Sequence, residues 1–232
     1  MQGCFMLRKR YLTLLALLFG SCLSHASVTL SNTRVVYNAD KKESNINVRN
    51  NTDSPFLVQS WVQGNDSQGT KAPFIVTPPL FRLDGGKANA LRIIYNGTAL
   101  PRDRESLFWL NVKSIPSSSR EDVNKLQIAV NTRIKLFYRP ANLADEPGEI
   151  SKNVQWSVEN NKLIVRNNSS YHISFAEVTI NNKKWSEFDL LAPKSSKAFT
   201  LNNILLTNNA SVHWKYINDY GGNSQLITQK IE

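Results

Sequence analysis

Cysteine is nearly absent from this chain, and its two copies, Cys4 and Cys22, both stand near the N-terminus. Histidine is almost as scarce, with three copies at His25, His172 and His213. Beyond residue 22 there is no disulfide framework, no thiol nucleophile and no Cys/His spacing that would hold a metal. Gly-x-Ser-x-Gly is missing as well, so a Ser/His hydrolase has neither its elbow nor a plausible base. His213 alternates with Val212 and Trp214 and reads as a structural strand residue, and His172 beside Tyr171 as surface or interface. Among the 18 acidic residues none has a context that singles it out for acid–base work. No cofactor, metal or small-molecule substrate is expected, and the chain reads as a non-enzyme. Long apolar helical patterns are also lacking: after Phe19 no stretch keeps a 3.6-residue period for long.

The N-terminus is read separately. Arg8-Lys9-Arg10 precede an apolar run from Tyr11 to Phe19, and small residues then lead to Ser24-His25-Ala26. This is the pattern of a secretory leader over residues 1–26, cleaved after Ala26. A lipidated Cys22 is the competing reading, disfavoured by Phe19 where a small or branched aliphatic residue is usual. Removal of the leader takes both cysteines with it, so an exported chain of about 206 residues relies on its own cores. The formal charge of +10 falls to about +7 without Arg8, Lys9 and Arg10. Lysine and arginine are scattered and no nucleic-acid motif is present, so nucleic acid is not an expected partner.

What the sequence does contain is a series of short runs rich in Val, Ile, Phe, Trp and Tyr, separated by Asn, Gly and Asp turn signals. The pattern is all-β. Strands are expected near 28–37, 44–50, 56–63, 74–77, 89–95, 106–113 and 125–138, an immunoglobulin-like number. Thr77-Pro78-Pro79 bars a central strand there and leaves both prolines open between cis and trans. Ala141 to Gly148, bounded by Pro140 and Pro147, has the composition of a linker. A second series follows near 153–158, 162–167, 173–180, 196–201, 211–217 and 225–230. Two domains are expected, 27–142 and 148–232, each an immunoglobulin-like β-sandwich, with a cleft between them.

One segment stands apart. From Leu126 to Arg139, Leu126, Ile128, Val130, Ile134, Leu136 and Tyr138 alternate on one strand face. At about 3.3 Å per residue the strand 125–138 would extend roughly 45 Å, more than twice the usual length. Such an apolar strand at a sheet edge is an aggregation hazard unless a partner is meant to pair with it. From alternation alone, packing into its own sandwich is the favoured fate.

Leu100-Pro101-Arg102-Asp103-Arg104-Glu105-Ser106-Leu107-Phe108-Trp109-Leu110-Asn111-Val112-Lys113-Ser114-Ile115-Pro116 resembles the signature segment of the PapD-like periplasmic pilus (fimbrial) chaperones. Thr33-Arg34-Val35, Phe74 to Phe81, Ile134 to Pro140 and Tyr216 to Gly222 match further family motifs in the same order. The resemblance implies two immunoglobulin-like domains in a bent, boomerang arrangement. It implies a periplasmic protein that captures pilus subunits by lending a strand, a form of β-augmentation, and delivers them to an outer-membrane usher. Residue by residue, Leu126, Ile128 and Val130 would enter the subunit groove. Arg34 and Lys135 would anchor the subunit's C-terminal carboxylate, and Glu105, Arg139 and Asp219 would form an interdomain salt bridge. The short loop Ile115 to Lys125 resembles the branch of the family that serves rod-like pili. A free chaperone with an open edge is open to self-capping as a homodimer. An exported adhesin or pilus subunit, and a secreted enzyme, are the alternatives; the cation pair and the signature segment speak against the first, the residue inventory against the second.

Overall fold

The computed structural model describes residues 27–66, 71–118, 126–181, 183–200 and 210–232. The expected leader, with Cys22 and the cleavage point, lies outside the described residues, as do most of the loop from Ile115 to Lys125 and the turn at Asn202-Asn203. Nine strands build the first half: β1 Val28–Leu30, β2 Arg34–Asn38, β3 Ser44–Asn50, β4 Phe56–Gly64, β5 Phe74–Thr77, β6 Leu80–Leu83, β7 Ala88–Tyr95, β8 Ser106–Pro116 and β9 Val130–Arg139. They form two sheets, in the orders β1-β3-β7-β5 and β2-β9-β8-β4-β6. The buried members of the two inner faces, among them Val48, Val58, Leu91, Ile93, Leu110 and Leu136, make one core. This is the face-to-face packing of a β-sandwich.

The single strand expected over 28–37 is two strands in different sheets: β1 pairs antiparallel with β3, and β2 pairs parallel with β9. Ser31, Asn32 and Thr33 carry the chain from one sheet to the other, a corner that alternation cannot report because both pieces keep period 2. Strand β6 also goes beyond the expected set and follows the Pro78-Pro79 pair. The Thr77–Pro78 bond is cis. The carbonyls of Pro78 and Pro79 accept hydrogen bonds from the Ser60 hydroxyl and amide, both at 2.9 Å.

The linker reaches a 3-10 helix at Pro147–Asn153, whose Ile150 is buried. About two turns of this kind leave too short an apolar period to be seen in sequence. The second half contains β10 Val154–Glu159, β11 Lys162–Asn167, β12 Ile173–Ile180, β13 Lys183–Trp185, β14 Leu190–Leu191, β15 Ser195–Thr200, β16 Ser211–Tyr216 and β17 Ile227–Lys230. One sheet runs β10-β11-β15 and the other β13-β12-β16-β17, with β14 on β12. Its core is aromatic, centred on Trp156, Trp214, Phe175 and Phe188. Gln229 Oε1 accepts from the indole N–H of both Trp156 (3.1 Å) and Trp214 (2.8 Å), so the two buried donors share one acceptor. No helix among the described residues is long and apolar enough to cross a membrane.

The expected strand from 125 begins later, at Val130, where Val130 pairs with Ser114. Leu126 to Ala129 have no strand hydrogen bonds, for a physical reason visible in the topology. β2 pairs with β9 only from Lys135 to Arg139, and β8 pairs with it only from Val130 onward.

Candidate functional site

The last strand of the first domain has an open side. Its residues 130–134 are paired with β8 on one edge, and among the described residues no strand lies on the other, because β2 starts at Arg34 opposite Lys135. Pairing with β8 runs from Val130↔Ser114 to Tyr138↔Ser106 with no shift of register, so the two faces of β9 keep strict parity. On the even face Ile134 and Leu136 enter the core. The apolar stripe then runs off its end: Val130 is 49% exposed, Ile128 68% and Leu126 85%. These three do not pack into their own sandwich, the fate that alternation alone favours.

The odd face of β9 turns toward the second domain. Lys135 Nζ lies 3.2 Å from Asp189 Oδ1. Phe137 is buried, with its ring 5.3 Å from His172 and the Arg34 guanidinium 5.7 Å from its centroid. Arg34 stands beside Lys135 in the parallel pairing and is only 8% exposed. Its Nη1 donates to the carbonyl of Ile217 at 3.0 Å, while its Nε is buried with no partner. Burial lowers the pKa of this guanidinium, and the charges of Asp219 and Glu105 act in the opposite direction. A buried cation with an unused donor is uncommon in a folded protein.

Arg139, at the end of the same strand, joins the domains. Its Nε donates to Glu105 Oε1 at 2.9 Å, and Nη1 and Nη2 clasp both oxygens of Asp219 at 2.6 and 2.8 Å. The guanidinium also lies 5.0 Å from the Tyr171 ring centroid. Burial pulls its pKa down, but the hydrogen bonds and charges of Asp219 and Glu105 outweigh that and raise it. Glu105 is 4% exposed, and its second oxygen accepts from the backbone N–H of His172 at 2.8 Å. The Glu105 amide donates to the Ser170 carbonyl at 2.9 Å, a main-chain bond between domains. His172 is therefore an interface residue held in this network, whereas His213 bridges two strands through Thr228 Oγ1 at 2.9 Å.

The loop that supplies Asp219 comes close because of a glycine. Gly221 has φ of 85°, and a Cβ on it would stand 2.5 Å from Thr33 Oγ1. A side chain there would force Thr33 or the loop to shift and would be strained at this positive φ. Sequence reading named Arg34, Lys135, Glu105, Arg139 and Asp219. It missed Asp189 and the Ile217 carbonyl, since nothing local marks an exposed acid or a backbone oxygen as facing another domain. Among the described residues no cluster of His, Cys, Asp or Glu is arranged to hold a metal.

Two immunoglobulin-like sandwiches joined by a buried ion cluster, with a strand edge open up to two cations, have the form of a non-enzymatic binding protein. Residues 27–144 match the pili and flagellar-assembly chaperone PapD N-terminal domain, and residues 149–228 the pili assembly chaperone PapD C-terminal domain. The chain belongs to this family of pilus-assembly chaperones, which are not enzymes. It is 38% identical to the "Probable fimbrial chaperone LpfB" of Escherichia coli O157:H7, over 98% of this chain and 99% of the relative. It is 38% identical to the "Chaperone protein FimC" of Escherichia coli K12, over 90% of this chain and 86% of that one. Among solved structures, the Salmonella enterica SafA pilin in complex with the SafB chaperone superposes with a TM-score of 0.79 at 31% identity, covering 89% of this chain and 97% of that chain. The Escherichia coli chaperone DraB superposes at 0.76 with 38% identity, covering 89% and 97%.

Proposed function

We propose that this chaperone works in the periplasm, completes the fold of pilus subunits with its own β9 edge, and delivers them to an outer-membrane usher. One observation carries the reading: the apolar stripe of β9 leaves its own core toward Leu126, along a strand edge that stays open up to the cations Arg34 and Lys135. A guest strand laid along residues 130–134 and beyond would gain main-chain hydrogen bonds on that edge. Leu126, Ile128 and Val130 would enter the guest's groove, each contributing roughly 1.5–3 kcal/mol on full burial.

Direction follows from charge. β2 runs parallel to β9 and begins at Arg34, so a guest strand running the same way would end where β2 starts. Its terminal carboxylate would meet Arg34 and Lys135, whereas a reversed strand would bring an ammonium group to two cations. The anchor then sets the register of every pair zipped beyond it, and a slip by one residue would turn the guest's apolar residues the wrong way. Glu105, Arg139 and Asp219 would hold the angle at which the second domain closes the cleft. Domain 27–142 is the capturing unit, and 148–232 completes the cleft. Before capture, a second copy of the chain would cap the same edge, giving a self-capped homodimer. The expected leader over 1–26 supports an exported, periplasmic location.

The test is co-expression with candidate pilus subunits followed by native mass spectrometry. A one-to-one complex is expected with the parent chaperone, and its loss with Arg34→Ala and with Lys135→Ala while both variants keep their circular dichroism. Retained binding by both variants refutes the anchoring role.

A further inference from the structure

Lys135 is already occupied. Asp189 Oδ1 sits 3.2 Å from its ammonium group, reaching across from the second domain. The two partners differ sharply in exposure: the Lys135 side chain is 17% exposed and that of Asp189 83%. The backbone beneath Asp189 is fixed on both sides. Phe188 packs against Trp156, Phe175 and Phe199 in the second core. The Asp189 carbonyl accepts from the Phe175 amide at 2.8 Å, and Leu190 and Leu191 pair with Ser174 and Ile173. The carboxylate is thus delivered to Lys135 by a rigid support, while its own side chain is free to swing into water. Arg34 is held differently. Asp219 and Glu105 are engaged by Arg139, and Arg34 is left with the Ile217 carbonyl and an unpaired Nε.

We propose that Asp189 is an intramolecular stand-in for the guest strand's terminal carboxylate, which it resembles chemically and which must displace it from Lys135. The inference rests on the anchoring role of Arg34 and Lys135 given above. An ion pair whose acid is exposed to water is weak, and that weakness suits a placeholder: it neutralises Lys135 in the free protein without competing seriously against a carboxylate that also satisfies Arg34. Capture costs the Lys135–Asp189 pair and brings a second carboxylate close to Asp189, so Asp189 opposes capture. It thereby weakens the hold on a true chain terminus and leaves a strand that merely passes through the edge unaffected.

The test uses titration calorimetry with two N-acetylated peptides alternating valine and threonine, identical except that one ends in a free carboxylate and the other in an amide. The parent chaperone is expected to prefer the carboxylate peptide. Asp189→Asn, with a melting temperature unchanged because the side chain is exposed, is expected to tighten that peptide about two- to fivefold at low salt. The gain shrinks in high salt, and the amide peptide is unaffected. If neither peptide binds, or the parent does not distinguish them, the anchoring role fails and Asp189 falls with it. If the parent distinguishes them but Asp189→Asn leaves the carboxylate peptide unchanged, weakens it, or tightens both peptides alike, the stand-in role alone is overturned.

Discussion

Arg34 and Arg139 are the same residue type on adjacent strands, and their surroundings assign them different physical work. Arg139 has three hydrogen bonds to two carboxylates, so its charge is matched inside the interface. Removing it would leave Glu105, 4% exposed, as an uncompensated buried acid, a loss of about 3–5 kcal/mol. Arg34 is buried to a similar degree but keeps only one hydrogen bond and an orphan Nε. Desolvation works against its charge, so truncation removes a cost along with its contacts. Arg34→Ala is therefore expected to shift the melting temperature by only about 2–4 °C in either direction, the effect of ~1 kcal/mol in a chain of this size. Differential scanning calorimetry checks this, and a drop as large as that of Arg139→Ala would show that Arg34 is a structural residue.

At the scale of elements, the sequence was most legible where period and face coincide. The alternation along β9 places Ile134 and Leu136 in the core, and the same parity extended backward identifies Leu126, Ile128 and Val130 as one stripe. What alternation could not say is where the core ends, because burial depends on the neighbouring strands β2 and β8 and not on the stripe itself. The split of residues 28–37 into β1 and β2 was hidden for the same reason: both halves are apolar, and the switch of sheet lies in three small polar residues. Strands β13 and β14 are too short to build a period. Of the site, the charged residues in matching motifs were readable. Asp189 was not, since its role depends on a contact across 54 residues of sequence.

For the whole molecule, the two sandwiches are tied by a small number of polar contacts converging on Arg139, with Glu105 and Ser170 adding a main-chain bond. Arg139→Ala is expected to broaden the distribution of domain orientations, seen as a larger radius of gyration in solution scattering than the parent's. Unchanged scattering would mean that the Arg34–Ile217 and Glu105–Ser170 hydrogen bonds and the Lys135–Asp189 pair suffice to hold the cleft. One strand serves both units: β9 carries an open edge at one end, Lys135 beside Arg34 in the middle and Arg139, the interdomain tie, at the other. The central claim, that the open edge of β9 is the part lent to a subunit, is tested most directly by amide hydrogen exchange of the chaperone with and without a bound pilus subunit. Residues 126–134 should become strongly protected in the complex, and unchanged exchange there, with protection appearing on another surface, would contradict the account.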